Sequence, residues 1–237
     1  MTLTGATPDT DPATEHHILS LTRLYTNHPH AGQDYLDFFP LLSNPSALEL
    51  VISTFVTRIV STYDVANIAA IVYPEAQGFI LGPLVASRLH LPAVAVRKPG
   101  KLAGDVWRWG FGKWGGASDS LEMQRGAFEG VCLTGTGSGT GGEGKVKGAI
   151  VVDDSVATGG SVGAVRGLLL ERWGIPVLEV LTIVEATWGE FSKAQDANGL
   201  ADVKIFAMCK LTEGNMAGMR RFDGRRDGSG KRLGEEE

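Results

Sequence analysis

Two adjacent carboxylates, followed by small and hydroxyl-bearing residues, form the stretch of sequence with the clearest chemistry. Residues 150–161 read IVVDDSVATGGS, so an apolar run ends at Asp153 and Asp154 and a glycine-containing loop follows. The loop amides, the hydroxyls of Thr158 and Ser161 and the positive end of a following helix would together suit a phosphate group. The two carboxylates could accept hydrogen bonds from sugar hydroxyls. Helix capping is the alternative role for the aspartates, but a cap needs only one carboxylate.

The elements that must position this loop alternate between strand and helix patterns. Continuous apolar runs, typical of strands buried on both faces, occur at 68–73 and 149–152. Helical patterns cover 79–90 and 159–174. Further strands are predicted at 92–96, 176–184 and 203–209. This order predicts an α/β fold with an open, mostly parallel, twisted sheet and flanking helices, in which ligands lie beyond the carboxyl ends of the strands.

Two helices are predicted ahead of the sheet. The spacing of apolar residues indicates a short helix over 15–27 and a longer one over 44–62. The longer helix could begin with Asn44 as its cap or with a capping box formed by Ser46 and Glu49.

A tryptophan-rich segment alternates with strand period. Trp107 and Trp109 alternate with Arg108, and 118–124 is the predicted partner strand of a hairpin. Together with Trp114, these rings could form a lid over a bound base or the core of the hairpin, and the sequence leaves both open.

Composition limits the class of protein. The chain has 237 residues, 43% of them apolar, and a net charge of −5, which argues against a nucleic-acid partner bound through bulk charge. It shows no apolar run of membrane-spanning length and no secretory signal, and its cysteines, Cys132 and Cys209, form no metal or disulfide pattern. The expected organisation is a disordered N-terminus over 1–14, a catalytic domain over 15–212 with a glycine-rich insert at 135–147, and a disordered tail over 213–237.

The glycine-rich insert contains two phosphate-binding patterns. Gly137, Gly139 and Gly142 satisfy GxGxxG, and 139–145 nearly satisfies the P-loop pattern. Both motifs require a helix to follow, whereas a strand is predicted here. We therefore interpret the segment as a flexible linker.

The aspartate loop resembles the phosphoribosyl-diphosphate (PRPP) signature of type I phosphoribosyltransferases, and its ATGG form is similar to that of the adenine phosphoribosyltransferases. Other stretches resemble the family in the same order: DFFPLLSNP at 37–45, PEAQGFILGP at 74–83, VRKPGKL at 96–102 and LEMQ at 121–124. The resemblance spans about 28–185.

The resemblance implies transfer of ribose 5-phosphate from PRPP to adenine, giving AMP and diphosphate, as in purine salvage. It implies Mg²⁺ held mainly by the substrate, a homodimer and a cytoplasmic location. The net charge and the lack of a membrane-length apolar run predict neither nucleic-acid nor membrane partners. The resemblance also implies a small hood formed by the N-terminal part of the chain and a cis peptide between Glu75 and Ala76. The implied site residues are Asp153 and Asp154 for the ribose and the developing positive charge; Ala157, Thr158, Gly159, Gly160 and Ser161 for the 5-phosphate; Glu75, Ala76, Gln77, Arg97, Lys98 and Lys101 for the diphosphate; and Tyr35 and Ser155 for the base.

The sequence departs from the family where the base and the diphosphate are bound. Gln77 and Leu36 replace arginines, Ser155 replaces a leucine, and Lys113-Trp114-Gly115 stands where the family has Glu-Tyr-Gly. Three hypotheses follow: an adenine phosphoribosyltransferase, a phosphoribosyltransferase for another base, and a weakly catalytic PRPP- or nucleotide-binding homologue.

Overall fold

A computed structural model describes residues 10–28, 34–112, 118–135, 146–187, 190–212, 214, 216, 219 and 221–225. In chain order its helices and strands are α1 (Pro12–Ser20), β1 (Arg23–Thr26), β2 (Asp34–Asp37), α2 (Phe39–Leu42), α3 (Pro45–Thr62), β3 (Ile68–Pro74), α4 (Gly78–Leu89), β4 (Ala93–Val96), β5 (Val106–Gly112), β6 (Ser118–Gln124), β7 (Gly148–Val156), α5 (Gly160–Trp173), β8 (Val177–Ala186), α6 (Glu190–Ala197), β9 (Ile205–Leu211) and β10 (Arg221–Asp223). The chain divides into two units, Ile52–Lys210 and a unit made from both chain ends.

The larger unit contains a five-stranded sheet in the order β4-β3-β7-β8-β9. Strand β3 pairs in parallel with β4 and β7, and β7 pairs in parallel with β8. All seven residues of β3 are buried, as its unbroken apolar sequence predicts for a central strand. The predicted mostly parallel α/β sheet is therefore confirmed.

The helices beside the sheet begin and end close to their predicted limits. Helix α3 is capped by Asn44, whose Oδ1 accepts hydrogen bonds from the N–H groups of Ser46 (3.1 Å) and Ala47 (3.2 Å). Helix α5 ends at Gly174, which has a left-handed φ of 64° and donates its N–H to the carbonyl of Leu170 (3.0 Å). Residues 75–77 join the carboxyl end of β3 to α4, and residues 157–159 join the carboxyl end of β7 to α5.

Strands β5 and β6 form the predicted hairpin, which packs against α5. A Cβ added at Gly167 would lie 2.3 Å from the indole of Trp109, so glycine permits this close approach. The guanidinium groups of Arg125 and Arg172 lie 4.1 Å and 4.5 Å from the centre of the Trp107 ring. Of the two roles left open, Trp107 and Trp109 therefore take the packing role.

The second unit contains a three-stranded sheet in the order β10-β1-β2. Strand β1 is antiparallel to β2 and parallel to β10. The helix predicted over 15–27 is wrong in its second half, because α1 ends at Ser20 and Arg23–Thr26 is a strand. The prediction of disorder is wrong for Arg221–Asp223, which forms β10, and for Pro12, where α1 begins inside the N-terminal segment predicted to be disordered.

Some sequence features lie outside the described residues. These are Gly137, Gly139 and Gly142 of the GxGxxG pattern, most of the insert, and Lys113-Trp114-Gly115. Within the described part, no helix combines the length and apolar character needed to cross a membrane.

Candidate active site

The two predicted carboxylates lie near the carboxyl end of β7. Asp153 is only 7% exposed, and its Oδ1 accepts the backbone N–H of Asp154 at 2.9 Å. Burial and the adjacent charge of Asp154 raise the pKa of Asp153 well above its ordinary value, and burial also raises the pKa of Asp154. Without a bound cation, this part of the sheet edge therefore disfavours two full negative charges.

The loop after these carboxylates leads into α5 as predicted. Ala157 is exposed, while the side chains of Thr158 and Ser161 are partly exposed. Gly159 has a φ of 74°, which a residue with a side chain rarely adopts, and its carbonyl accepts the N–H of Gly163 at 2.8 Å. The loop is thus followed by a helix whose first amides carry partial positive charge.

The glycines of this loop have a packing role that the sequence analysis did not anticipate. A Cβ at Gly159 would lie 2.4 Å from Cδ1 of Leu200, and a Cβ at Gly160 would lie 2.6 Å from the ring of Phe111. The side of each glycine on which a Cβ would stand therefore faces protein atoms. Glycine is needed here so that Leu200, which follows α6, and Phe111 of the hairpin can approach the loop closely.

The loop after β3 lies at the same sheet edge, because β3 and β7 are neighbouring parallel strands. The Glu75–Ala76 peptide is cis, as the resemblance implies, and Gln77 is buried. A Cβ at Gly78 would lie 3.4 Å from Oδ1 of Asp153. The structure therefore brings this loop and the aspartates together.

The basic turn after β4 joins the same edge, but one of its cations is neutralised. Arg97 Nε donates to Glu75 Oε2 at 2.7 Å, and its Nη1 donates to the carbonyl of Lys101 at 3.1 Å. The guanidinium also lies 5.5 Å from the centre of the Phe79 ring. Lys98 and Lys101 are exposed. The three basic residues of the turn are therefore not equivalent.

Glu122, which lies in the LEMQ stretch of β6, connects this basic turn to the hairpin. Its side chain is 2% exposed and accepts hydrogen bonds from Gly100 N–H (2.9 Å) and Arg108 Nε (2.9 Å). Its backbone exchanges two hydrogen bonds with Arg97. The Arg108 side chain and the Gly100 amide lower the pKa of this carboxyl.

We expect Glu122→Gln to lower the free energy of unfolding by about 1–2 kcal/mol at neutral pH. The expected loss is modest because the Arg108 side chain is 60% exposed and its charge is screened. Since the folded pKa is depressed, the carboxylate's contribution is present above its ordinary value of 4.5 and disappears as the pH falls through the folded pKa. Urea unfolding across this range measures the difference.

The matched control for this variant is Glu171→Gln, which changes an exposed carboxylate of α5. It should leave stability within about 0.5 kcal/mol of the wild type at every pH. A Glu122→Gln deficit that persists unchanged in acid would contradict the electrostatic explanation.

The predicted base-binding residues fall in different units. Tyr35 lies on β2 in the unit formed by the chain ends, and its ring meets His28 edge-on at a centroid distance of 5.1 Å. It lines a cavity of about 320 Å³ together with Arg23, Tyr25, His28, Asp37, Phe39 and Gly224. Ser155 lies on β7 in the other unit and is partly exposed.

Two amide side chains at the phosphate-type loop were missed by the sequence analysis. Gln195 Nε2 donates to the carbonyls of Ala157 (2.9 Å) and Ala186 (3.0 Å), and Asn198 Nδ2 donates to the carbonyl of Thr158 (2.8 Å). Both belong to α6 and the turn after it, about 40 residues beyond the loop. No local sequence pattern indicates such a contact.

The sheet and its loops match solved structures of one fold class. Adenine phosphoribosyltransferase from Rhodothermus marinus superposes with a TM-score of 0.66 at 26% identity, covering 85% of this chain and 100% of that one. The Saccharomyces cerevisiae enzyme, solved with adenine and an imino-altritol bisphosphate, gives 0.62 at 28% identity, with coverage of 83% and 98%. The fold is that of the type I phosphoribosyltransferases.

Sequence similarity then identifies the family within this fold class. No protein-family model matches the chain. Adenine phosphoribosyltransferase from Chromohalobacter salexigens is 33% identical over 199 residues, which cover 83% of this chain and 96% of that protein. The chain belongs to the adenine phosphoribosyltransferase family.

Proposed function

We propose that this protein transfers ribose 5-phosphate from PRPP to adenine, giving AMP and diphosphate in purine salvage. The observation that carries the proposal is the meeting, at one edge of the parallel sheet, of the Asp153–Asp154 pair, the loop into α5 and the loop after β3. Family membership agrees with it.

The loop at 157–161 is the proposed holder of the 5-phosphate. Its amides and those of the first turn of α5 supply N–H donors, and the partly exposed hydroxyls of Thr158 and Ser161 add two more donors. Binding here would fix the ribose at a set distance from the carboxylates. Positioning of this kind is the main contribution of a protein to group transfer.

Asp153 and Asp154 are the proposed ribose ligands and the stabilisers of positive charge at the reacting carbon. As the bond to diphosphate breaks, the ribose acquires oxocarbenium character, and a buried carboxylate interacts with such charge more strongly than an exposed one. The raised pKa values of the pair mean that a cation is needed to make the doubly charged form favourable. The developing positive charge meets that need.

The leaving diphosphate is proposed to bind the loop of Glu75, Ala76 and Gln77 and the basic turn. Because Glu75 neutralises Arg97, the net positive charge offered to the diphosphate comes from Lys98 and Lys101. Arg97 instead joins the two diphosphate loops to each other.

Mg²⁺ is the proposed cofactor. Within the described residues no three His, Cys, Asp or Glu side chains come together as a metal site. Magnesium commonly binds substrate phosphates with few protein ligands, and Asp153 and Asp154 offer oxygen donors of the type it prefers. When bound, it would neutralise charge on the diphosphate.

Tyr35 and Ser155 are the proposed base-contacting residues. The cavity beside Tyr35 has aromatic walls and polar groups that suit a flat heterocycle.

From the family resemblance we also propose a homodimer, a cytoplasmic location and a transferase region over 15–212, to which the strand Arg221–Asp223 is added. Light scattering of the purified chain tests the dimer.

Diphosphate release measures the proposed activity. With PRPP and Mg²⁺, we expect adenine to support release at least about tenfold faster than hypoxanthine, guanine or xanthine, with AMP as the product. Ribose 5-phosphate in place of PRPP is the control, because it carries no diphosphate. Release with another base would contradict the adenine assignment, and PRPP binding without turnover would show a binding homologue.

A further inference from the structure

The carbonyl groups of the 5-phosphate loop are held by side chains of a different element. Gln195, on α6, is 8% exposed and donates both of its Nε2 hydrogens, to the carbonyls of Ala157 and Ala186. Asn198, just after α6, donates to the carbonyl of Thr158 at 2.8 Å. Two successive peptide groups of the loop are therefore held by amide donors from one side.

Because of peptide geometry, these contacts to the carbonyl groups also fix the direction of the N–H groups on the opposite side of the loop. In a planar trans peptide the C=O of one residue and the N–H of the next point in opposite directions. Holding the carbonyl of Ala157 therefore directs the N–H of Thr158 away from α6, and holding the carbonyl of Thr158 does the same for Gly159. Neither the 157–158 nor the 158–159 peptide is cis.

The supporting element lies against the loop and α5 with little room to move. A Cβ at Gly163 would lie 2.3 Å from the carbonyl oxygen of Asn198, so glycine on α5 permits this approach. The turn after α6 is closed by Leu200 N–H donating to the carbonyl of Gln195 at 3.0 Å and by Gly199 with a φ of 78°. The two amide side chains thus project from a well-packed helix end.

We propose that Gln195 and Asn198 are positioning residues for the 5-phosphate, setting the direction in which the Thr158 and Gly159 amides point. This inference rests on the proposed function, because it assumes that the loop at 157–161 binds that phosphate. Neither side chain is required to touch the substrate. Their effect on binding passes through the backbone of the loop.

Substitution of Asn198 tests the proposal in the full-length protein. Asn198→Ala removes the donor, and Asn198→Asp keeps the size but places an acceptor opposite the Thr158 carbonyl. We expect either change to weaken AMP and ribose 5-phosphate binding about tenfold, the equivalent of one hydrogen bond. Adenosine, which lacks the phosphate, should bind within about twofold of wild type, and the KM for PRPP should rise more than the KM for adenine.

The control is Asn67→Ala, which removes a surface hydrogen bond to Asp64 and should leave all affinities unchanged. If the AMP affinity of both Asn198 variants stays within twofold of wild type, or if adenosine and AMP weaken equally, the positioning role is wrong. Wild-type protein that binds neither PRPP nor AMP would overturn the proposed function as well. Melting temperatures show that each variant is folded, and Gln195→Glu provides a second test at the buried donor.

Discussion

Replacing Asp153 with asparagine is expected to raise the melting temperature of the ligand-free protein while it removes most of the transferase activity. Burial and the neighbouring charge of Asp154 raise the pKa of Asp153 in the folded state, so its carboxylate opposes folding at neutral pH. Asparagine keeps the side-chain size and the oxygen that accepts the Asp154 N–H. The same change removes the charge proposed to stabilise the reacting ribose.

The sign of the pH dependence follows from the raised pKa. The folded state binds the proton more tightly than the unfolded state, so wild-type stability falls as the pH rises through the folded pKa. Above the ordinary carboxyl pKa of 3.8, the advantage of Asp153→Asn should therefore widen with rising pH until the pH passes the raised pKa of the folded state. Each 1 kcal/mol corresponds to about 2–4 °C for a chain of this size. Differential scanning calorimetry measures this difference.

The activity of Asp153→Asn should fall by at least about 100-fold in kcat/KM for PRPP, the loss typical for removal of one electrostatic stabiliser. Asp202→Asn is the control, because its 73% exposed carboxylate pairs with Arg166 outside the site. It should neither stabilise the protein nor change turnover. Near-normal activity of Asp153→Asn would contradict the ribose role, and a lower melting temperature would contradict the burial argument.

The largest stability loss is expected from Arg58→Met. Arg58 on α3 donates to Glu179 on β8 through Nε (3.2 Å to each carboxylate oxygen) and Nη2 (2.6 Å to Oε1), and Glu179 is 1% exposed. The Arg58 guanidinium also lies 5.1 Å from the centre of the Phe206 ring. Removing the arginine leaves a carboxylate buried without its cation, which typically lowers the free energy of unfolding by about 3–5 kcal/mol.

The double variant Arg58→Met with Glu179→Met separates the effect of a buried charge from the effect of lost volume. A buried ion pair replaced by apolar residues of similar size is commonly close to neutral, so we expect the double variant to recover most of the loss in urea unfolding. If the double variant is as unstable as Arg58→Met, packing rather than charge explains the effect.

The Tyr63 hydroxyl lies near this ion pair and donates a hydrogen bond to the carbonyl of Leu178. Its pKa is raised to about 12, mainly by burial and then by the charge of Glu179.

Local sequence predicted the elements whose patterns reflect burial or capping. Residues 68–73 are apolar without interruption because β3 is buried on both faces, and Asn44 precedes α3 because a helix start needs an acceptor for its amides. The convergence of the loops after β3, β4 and β7 follows from parallel pairing alone. The fold and the meeting of these loops at one edge of the sheet were therefore accessible from the sequence.

What the sequence did not predict depends on contacts between distant residues. Tyr25 continues a helical spacing, yet it lies in a strand because β2 and β10 pair with β1 on either side. Arg97 was predicted to offer its charge to diphosphate, but Glu75, 22 residues away, binds its guanidinium. The carbonyl contacts of Gln195 and Asn198 are with residues that lie 38 and 40 positions earlier in the chain, and no short-range sequence pattern predicts them.

Because β1 pairs with β10, the order in which the chain is synthesised determines when this sheet is completed. The two strands meet across nearly the whole chain, with Thr26 bonded to Phe222, 196 residues away. A ribosome releases β1 well before β10, so among the sheets that the structure describes, the one that contains β1 is the last to acquire all its strands. The Ile52–Lys210 unit has its five sheet strands earlier, and until β10 is released β1 exposes the edge that β10 later covers.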